Sequence, residues 1–295
     1  MFTPFLELLA SNTAVFVIFV ALLSLLVGSF LNVVIYRLPI MMQQEWDCEC
    51  RELLQDDLSA KSKKKKAQRI NLLKPDSHCP SCKSPVKAWQ NIPIVSYLLL
   101  RGKCGHCGEK ISLRYPAIEL LTAISSAMVA AKFGYGWQSV LLVPVTWAFI
   151  CLIFIDIDHM LLPDQITLPL LWLALLVSTQ TVFISPTSAI FGAVFGYLSL
   201  WSVYWLFRLL TGKEGMGYGD FKLMAIVGAI VGAIKLPMVI LMSSLVGALF
   251  GIINIVFRGS GRDTPMPFGP YIAIAGWIVM LWGDVMFDWY IQFLV

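Results

Sequence analysis

The sequence predicts an all-α, multi-pass membrane protein with about eight transmembrane helices and a small cytoplasmic zinc-ribbon-like domain between helices 1 and 2. Three observations carry this prediction: the composition, the length of the uncharged runs and two cysteine pairs. Of the 295 residues, 58% are hydrophobic and only 14% are charged, against about 25% charged in soluble domains. A bilayer is therefore the expected solvent for most of the chain.

The uncharged runs are long enough to cross that bilayer, because a spanning helix needs roughly 20 apolar residues. They lie at residues 8–36, 133–155, 165–207, 236–257 and 264–283. The runs 116–131 and 221–234, which contain Glu119 and Lys222, predict shorter spans. The run 165–207 is twice the required length and is interrupted by Ser185 and Pro186. We therefore interpret it as two helices, which brings the total to about eight.

Basic residues predict the orientation, since Lys and Arg near span ends are retained in the cytoplasm. No basic residue precedes the first span, and Arg37 follows it, so the N-terminus is expected outside. Eight spans then leave only Lys132 and Lys235 on the outer face. The first span lacks the basic segment of a cleavable signal and is expected to remain as an anchor.

The spans divide the chain into three predicted parts: a first transmembrane helix at 1–36, a cytoplasmic loop at 37–114 and a membrane core at 115–295. The loop holds 15 of the Lys and Arg residues against 8 Asp and Glu. Its polar segment 41–70 includes the run Lys61, Lys63, Lys64, Lys65 and Lys66. We interpret this run as a solvated linker or as an attraction to anionic lipid headgroups. Nucleic acid is not an expected partner, because no stacking aromatic residues accompany the lysines.

Four of the seven cysteines predict a structural zinc site in this loop. Cys79 and Cys82 form one Cys-x-x-Cys pair, and Cys104 and Cys107 form another with a zinc-ribbon separation. Four thiolates complete a tetrahedral site and leave no position for a substrate. Disulfides are the alternative, but a cytoplasmic loop is reduced. His78 and His106 are expected outside the ligand set, and no role is assigned to Cys48, Cys50 or Cys151.

Carboxylates at the ends of two apolar helices are the candidate catalytic groups. The third span ends in FIDIDHMLLPD, which contains Asp156 and Asp158, and the sixth begins in GMGYGDFKL, which contains Asp220. Charged groups in membrane segments are costly and mark functional sites. Gly217 and Gly219 permit close backbone approach before Asp220. Asp156 ends a helix and Asp220 begins one, so helix polarity favours Asp220 as the ionised member of the pair.

Two facing carboxylates can activate a water and protonate a departing amine, as in an aspartic protease. The chain offers no Gly-x-Ser-x-Gly or His-Glu-x-x-His motif that would provide another hydrolytic centre. Two other classes stay open on these residues. The carboxylates are also compatible with a transporter, although transport sites usually lie near the bilayer midplane, and the zinc loop is compatible with a membrane-anchored adaptor.

Further polar residues are predicted to support the site. Asp164 is expected to be the N-cap of the fourth span, and Asp158 to tune Asp156 or remain solvated. Lys222 is expected to extend to the interface or to steady Asp220. Glu119, one turn into the second span, is expected to be protonated, paired or in a polar cleft, and Asn32 is a candidate polar partner within the bundle.

The sequence resembles the type IV prepilin peptidases, which are membrane aspartic proteases of the GxGD type. The matching stretches, in addition to the two cysteine pairs, are GSFLNVVIYRLP (28–39), NIPIVSYLLLRGKC (91–104), RYPAIELLTA (114–123), IDIDHMLLPD (155–164), GMGYGDFKL (215–223) and PFGPYIAIAGW (267–277). The resemblance implies that Asp156 and Asp220 form the catalytic dyad, and it implies zinc on the four cysteines.

The resemblance also implies what the site acts on. Its expected substrates are type IV prepilins, type II secretion pseudopilins, or both, whose basic leaders are removed at the cytoplasmic face of the bacterial inner membrane. It further implies methylation of the new N-terminal residue with S-adenosylmethionine as cofactor. That activity rests on resemblance alone, because the sequence shows no dinucleotide-type glycine motif after a strand.

Overall fold

The predicted helical runs are helices in the structure, a computed structural model that describes residues 3–55, 70–258 and 266–294. The α-helices are α1 (Thr3–Ser11), α2 (Thr13–Gln55), α3 (Val95–Leu99), α4 (Arg114–Phe133), α5 (Trp137–His159), α6 (Asp164–Ser178), α7 (Pro186–Thr211), α8 (Tyr218–Val231), α9 (Leu236–Arg258) and α10 (Gly269–Leu294). Short 3₁₀ turns occupy Ala88–Asn91 and Ala233–Lys235. The run of lysines between 61 and 66 lies outside the described residues.

The predicted spans correspond to eight of these helices, α2 and α4 to α10. In the described part of the chain, six helices are long and apolar enough to cross a membrane. α6, with 15 residues, and α8, with 14, are shorter. The predicted interruption at Ser185 and Pro186 is confirmed, since Ser185 caps α7 by accepting a hydrogen bond from the Ser188 N–H at 3.3 Å.

α2 is longer than the apolar run that predicts it. It continues beyond residue 36, contains Pro39, and ends at Gln55. The part after Pro39 is rich in Glu and Gln, which have good helix propensity and are hydrophilic. Residues 41–55 of the polar segment are therefore helical, and Cys48 and Cys50 are exposed on this extension.

The chain forms two compact units. The large unit contains Met1–Val17 and Met128–Val295, and the small unit contains Ile18–Ala127. The large unit thus holds the helices on which Asp156 and Asp220 lie. The small unit holds most of α2, the cysteine loop and the first part of α4.

α8 lies in the core of the large unit, with every residue from Asp220 to Val231 buried except Lys222. Its closest neighbour is α7. A Cβ added at Gly192 would overlap the carbonyl oxygen of Gly228, and a Cβ added at Gly228 would overlap that of Gly192. Small residues let membrane helices approach this closely. The contact fixes α8, and with it the carboxylate near its N-terminus.

Polar side chains join the helices and loop of the small unit. The Asn32 amide on α2 donates to the carbonyl oxygens of Gly28 and Tyr115, both at 3.2 Å, so it is a polar link between α2 and α4. Arg37 donates to the carbonyl oxygens of Asn71 and Leu72 at 3.1 and 3.3 Å. The loop is therefore held to the helix from which it emerges.

Candidate active site and metal centre

Asp156 lies in the last turn of α5, and its carboxylate is held by the first residue of α10. Its Oδ2 accepts a hydrogen bond from the Gly269 N–H at 3.1 Å, and the residue is 5% exposed. Gly269 is required for this approach, because an added Cβ would lie 2.6 Å from Asp156 Oδ2. The start of α10 therefore packs directly on the carboxylate.

Asp220 lies in the first turn of α8, and its carboxylate folds back onto the glycine segment before the helix. Its Oδ2 accepts a hydrogen bond from the N–H of Gly217, the N-cap residue, at 3.1 Å. Its Oδ1 is buried and has no hydrogen-bond partner among the described residues. A buried acceptor without a partner is costly. Oδ1 is thus available to a water or to a substrate.

The structure brings the two aspartates into one site. They are close enough for the charge of Asp156 to act on Asp220. Leu162, in the connection between α5 and α6, lies against two glycines: Gly219, which directly precedes Asp220, and Gly269, whose N–H binds Asp156. A Cβ added at Gly219 would be 2.6 Å from Leu162 Cβ, and one added at Gly269 would be 3.1 Å from Leu162 Cδ1. Two buried carboxylates at adjoining helix ends are compatible with acid and base catalysis by a pair.

The neighbouring charges differ from the sequence predictions. Pro163 is the N-cap of α6 and Asp164 is the first helical residue, so the N-cap prediction for Asp164 is wrong. Pro at the cap leaves the Asp164 carboxylate free to pair, and Lys222 Nζ lies 2.6 and 2.8 Å from its two oxygens. Lys222 is thus bound to Asp164 and not to Asp220. Asp158 is exposed.

The segment before Asp220 is fastened to the end of α7. Gly212 ends that helix in the left-handed region, with φ of 71°, and its N–H donates to the Arg208 carbonyl oxygen. The Arg208 guanidinium lies 3.6 Å from Glu214 and donates to the Tyr204 hydroxyl at 3.1 Å. An added Cβ at Gly215 would lie 2.8 Å from the Phe207 ring. These contacts position the glycine segment that contains Gly217, whose N–H donates to the Asp220 carboxylate.

Sequence reasoning missed several residues that build this site, chiefly Gly269, Leu162 and Arg208. A signal for Gly269 was present, because Gly-Pro at the start of an apolar run is typical of a helix N-terminus, where N–H groups are free. Leu162 and Arg208 gave no comparable signal. Their importance depends on which helices are neighbours in space.

The cysteine pairs form a cluster in the small unit that matches a zinc site. The four Sγ atoms all lie within 4.8 Å of one another, and Cys79 and Cys107 are 3.8 Å apart. Tetrahedral zinc with bonds of about 2.3 Å places its sulfurs about 3.8 Å apart. The residues therefore fit the metal. His78 and His106 are not among the clustered ligands, as predicted.

Two similar turns hold these cysteines. The Cys79 N–H donates to Ser84 O, and the Cys104 N–H donates to Glu109 O. The fifth residue of each turn has a positive φ, 58° at Lys83 and 75° at Gly108. The Ser84 hydroxyl and then its backbone N–H lower the pKa of the Cys82 thiol to about 6.

Glu119 belongs to the small unit and serves a different contact from the aspartates. It is 8% exposed, and its Oε2 accepts the Ile94 N–H at 2.8 Å. The carboxylate therefore fastens the loop between the cysteine pairs to α4. Glu119 is thus paired with a backbone N–H, which is one of the environments predicted for it.

Two family models match this chain. Residues 22–133 match the bacterial Peptidase A24 N-terminal domain, and residues 143–252 match the type IV leader peptidase family. The second match includes both aspartates, and the first includes all four clustered cysteines.

Curated relatives match over nearly the full length. A prepilin leader peptidase/N-methyltransferase of Pseudomonas aeruginosa is 52% identical over 290 residues, covering 98% of each chain. A protein of the same description from Stutzerimonas stutzeri is 51% identical, and the match covers 99% of both chains. Another from Legionella pneumophila is 46% identical, and the match covers 93% of this chain and 94% of the relative. No solved structure matches the chain significantly.

Proposed function

The chain belongs to the type IV leader peptidase family, and from that premise we propose that Asp156 and Asp220 are the dyad with which it cleaves prepilins. It is a membrane aspartic peptidase that removes prepilin leaders, and it also N-methylates its substrates. The observation that supports the dyad is that both aspartates are buried, in the last turn of α5 and the first turn of α8, and that Gly269 and Gly219 beside them pack on the same Leu162 side chain. Family membership sets aside the transporter and adaptor alternatives.

The proposed reaction needs one protonated and one ionised carboxyl group. The ionised aspartate takes a proton from a water, whose oxygen attacks the carbonyl carbon of the scissile peptide bond. The protonated aspartate donates its proton as the carbon to nitrogen bond breaks and the amine departs. Because two close carboxylates cannot both ionise at low cost, the pair shares one proton.

Helix polarity does not separate the roles of the two aspartates. Asp220 lies at the N-terminal end of α8, as predicted, where a negative charge is favoured. Asp156 lies at the C-terminal end of α5, but it also accepts the Gly269 N–H at the start of α10. Each carboxylate thus receives a helix N-terminal donor. We therefore propose a shared proton and no fixed base.

The site's location determines how substrates reach it. The chain is a multi-pass protein of the bacterial inner membrane. We place its N-terminus outside and the aspartates and cysteine loop at the cytoplasmic face, on the distribution of basic residues. Leaders of prepilins, and also of type II secretion pseudopilins, then meet the dyad on the side where their basic residues are retained.

The metal is assigned a structural role. Cys79, Cys82, Cys104 and Cys107 would hold zinc with four thiolates and no open position, so the ion would fold the loop and take no part in bond cleavage. S-adenosylmethionine is proposed as methyl donor. The cleft formed by residues 97–103 and 110–113 has three basic residues and no carboxylate among its lining residues, which does not suit a sulfonium cation and a ribose. No residues are assigned to that cofactor.

Glycine substitutions test the close packing around the dyad. Gly269→Ala and Gly219→Ala each place a Cβ 2.6 Å from a neighbouring atom, Asp156 Oδ2 or Leu162 Cβ. We expect each to lower kcat for a prepilin-like peptide at least about tenfold, because small displacements of catalytic groups are costly. Gly136→Ala is the control, since a Cβ added there would have no neighbouring atom within 4 Å. Cleavage reduced equally by all three changes would contradict this packing account.

The Asp164 and Lys222 pair is expected to matter little. Its side chains are 52% and 29% exposed, and an exposed pair contributes about 0.2 to 1 kcal/mol. Asp164→Asn should lower the unfolding temperature slightly and change kcat less than about threefold. Peptide cleavage and thermal unfolding in detergent measure both quantities. A loss of cleavage comparable with that of Asp156→Asn would instead place Asp164 in the catalytic machinery.

A further inference from the structure

A concave surface of the small unit lies outside the peptidase site and the cysteine cluster. It has a volume of about 470 Å³ and is formed by two segments, residues 97–103 and 110–113. The Ile111 N–H donates to the Gly102 carbonyl oxygen at 2.8 Å, and the Tyr97 hydroxyl donates to the Ile111 carbonyl oxygen at 3.3 Å. We call this surface the basic cleft. These hydrogen bonds join the two segments that form the cleft.

The lining of the cleft carries a concentrated positive charge. Arg101, Lys103 and Lys110 are exposed there, and Lys103 and Lys110 are paired across an antiparallel bridge. None of the three forms an ion pair with a carboxylate in the part of the chain that the structure describes. Glu109 is next to Lys110, but its Oε1 accepts the Lys110 backbone N–H at 3.3 Å. The cleft therefore suits an anion.

Large apolar side chains adjoin these cations. Leu113 lines the cleft and is 71% exposed, while Leu98 and Leu99, at the end of α3, are 67% and 70% exposed. Exposing three leucines to water is unfavourable in proportion to their apolar area. A ligand that satisfies both features has an anionic group next to hydrocarbon.

The position of the cleft along the chain identifies such a ligand. Leu113 directly precedes Arg114, the first residue of the candidate membrane span α4. Residues that adjoin the end of a span lie at the level of the lipid headgroups. Basic residues at that level attract anionic lipids, and apolar side chains next to them enter the acyl boundary.

We propose that the basic cleft binds the headgroup of an anionic phospholipid, with Arg101, Lys103 and Lys110 on its phosphate and with Leu98, Leu99 and Leu113 in the acyl region. The loop that carries the cysteines would then rest on the membrane surface through a defined lipid site. This site is separate from the dyad, and it does not depend on the peptidase assignment.

Lipid binding to the purified full chain tests the proposal. Native mass spectrometry during titration with phosphatidylglycerol should show at least about tenfold weaker binding at one site in the triple variant Arg101→Gln, Lys103→Gln, Lys110→Gln. Phosphatidylcholine binding should not change. The matched control, Arg51→Gln, Lys74→Gln, Lys87→Gln, removes the same charge from exposed positions outside the cleft and the cysteine turns and should retain the wild-type affinity. Equal weakening in both triple variants, or in neither, would overturn the proposal.

A second measurement separates the cleft from damage to the zinc loop. Arg101→Gln alone lies outside both cysteine turns and should weaken phosphatidylglycerol binding while the chain keeps one bound zinc. Hydrogen exchange in nanodiscs should show slower exchange across 95–113 with phosphatidylglycerol than with phosphatidylcholine, and Leu98→Ser with Leu99→Ser should remove the difference. Exchange slowed by S-adenosylmethionine and not by anionic lipid would overturn the assignment.

Discussion

Asp156→Asn and Asp220→Asn are each expected to reduce prepilin cleavage by about 10³-fold or more. General acid and general base catalysis each contribute about 10² to 10⁴ in rate, and an amide can neither take a proton from water nor donate one to the amine. Because the roles are coupled, the double variant should be no worse than the single variants. The initial rate of leader release, followed by mass spectrometry on protein purified in detergent, measures the effect.

The asparagine variants should fold, because each amide oxygen can still accept the hydrogen bond that the carboxylate accepts. The donors are the N–H groups of Gly269 and Gly217. Thermal unfolding and zinc content should therefore match wild type. Asp284→Asn is a matched control, since Asp284 is exposed and pairs with Lys235 at 2.6 Å. Lost cleavage in this control would show that the assay reports general damage and not the dyad.

Removal of zinc is expected to have the largest effect on stability. Structural zinc contributes about 10 to 16 kcal/mol of apparent binding free energy in small zinc-dependent domains, and the cysteine loop has little other core. Cys79→Ser should lose the metal and its hydrogen-exchange protection across residues 76–110. Zinc content and exchange measured on the same sample test this.

Two controls define the structural role of the metal. Cys48→Ser and Cys50→Ser change exposed cysteines on α2 and should retain one zinc per chain. Chelation should abolish protection in the loop and leave the chemical step at the dyad measurable with a short peptide. A chelated protein whose loop remained protected but whose kcat fell as far as that of Asp156→Asn would contradict a purely structural metal.

The helices and the metal ligands were largely readable from the sequence, because apolar run length and cysteine spacing are local signals. The two predicted helices broken at Ser185 and Pro186 are present, and the four cysteines cluster. The extension of α2 to Gln55 was not predicted, since the apolar run ends earlier and the helix continues on propensity in water. Run length overestimates α6, which has 15 residues, as a full span, whereas the shorter span predicted at 221–234 corresponds to the 14-residue α8.

The surroundings of the aspartates depend on contacts between distant segments, which spacing along one chain does not determine. Gly269 is 113 residues from Asp156, yet its N–H holds that carboxylate. Lys222 is adjacent to Asp220 in sequence, but its ammonium reaches Asp164, because the start of α6 is its neighbour in space. Local reasoning therefore proposed the two carboxylates as candidates but did not predict their hydrogen-bond and ion-pair partners.

The most direct test of the dyad is the cleavage rate of the Asp220→Asn protein from about pH 5 to 9, the range in which acid and base groups normally operate. Asparagine cannot titrate, so the account predicts a rate at least about 10³-fold below wild type at every pH in this range, from a chain that keeps its zinc and its unfolding temperature. Cleavage within about tenfold of the wild-type rate at any of these pH values would show that another group activates the water, and it would contradict the account.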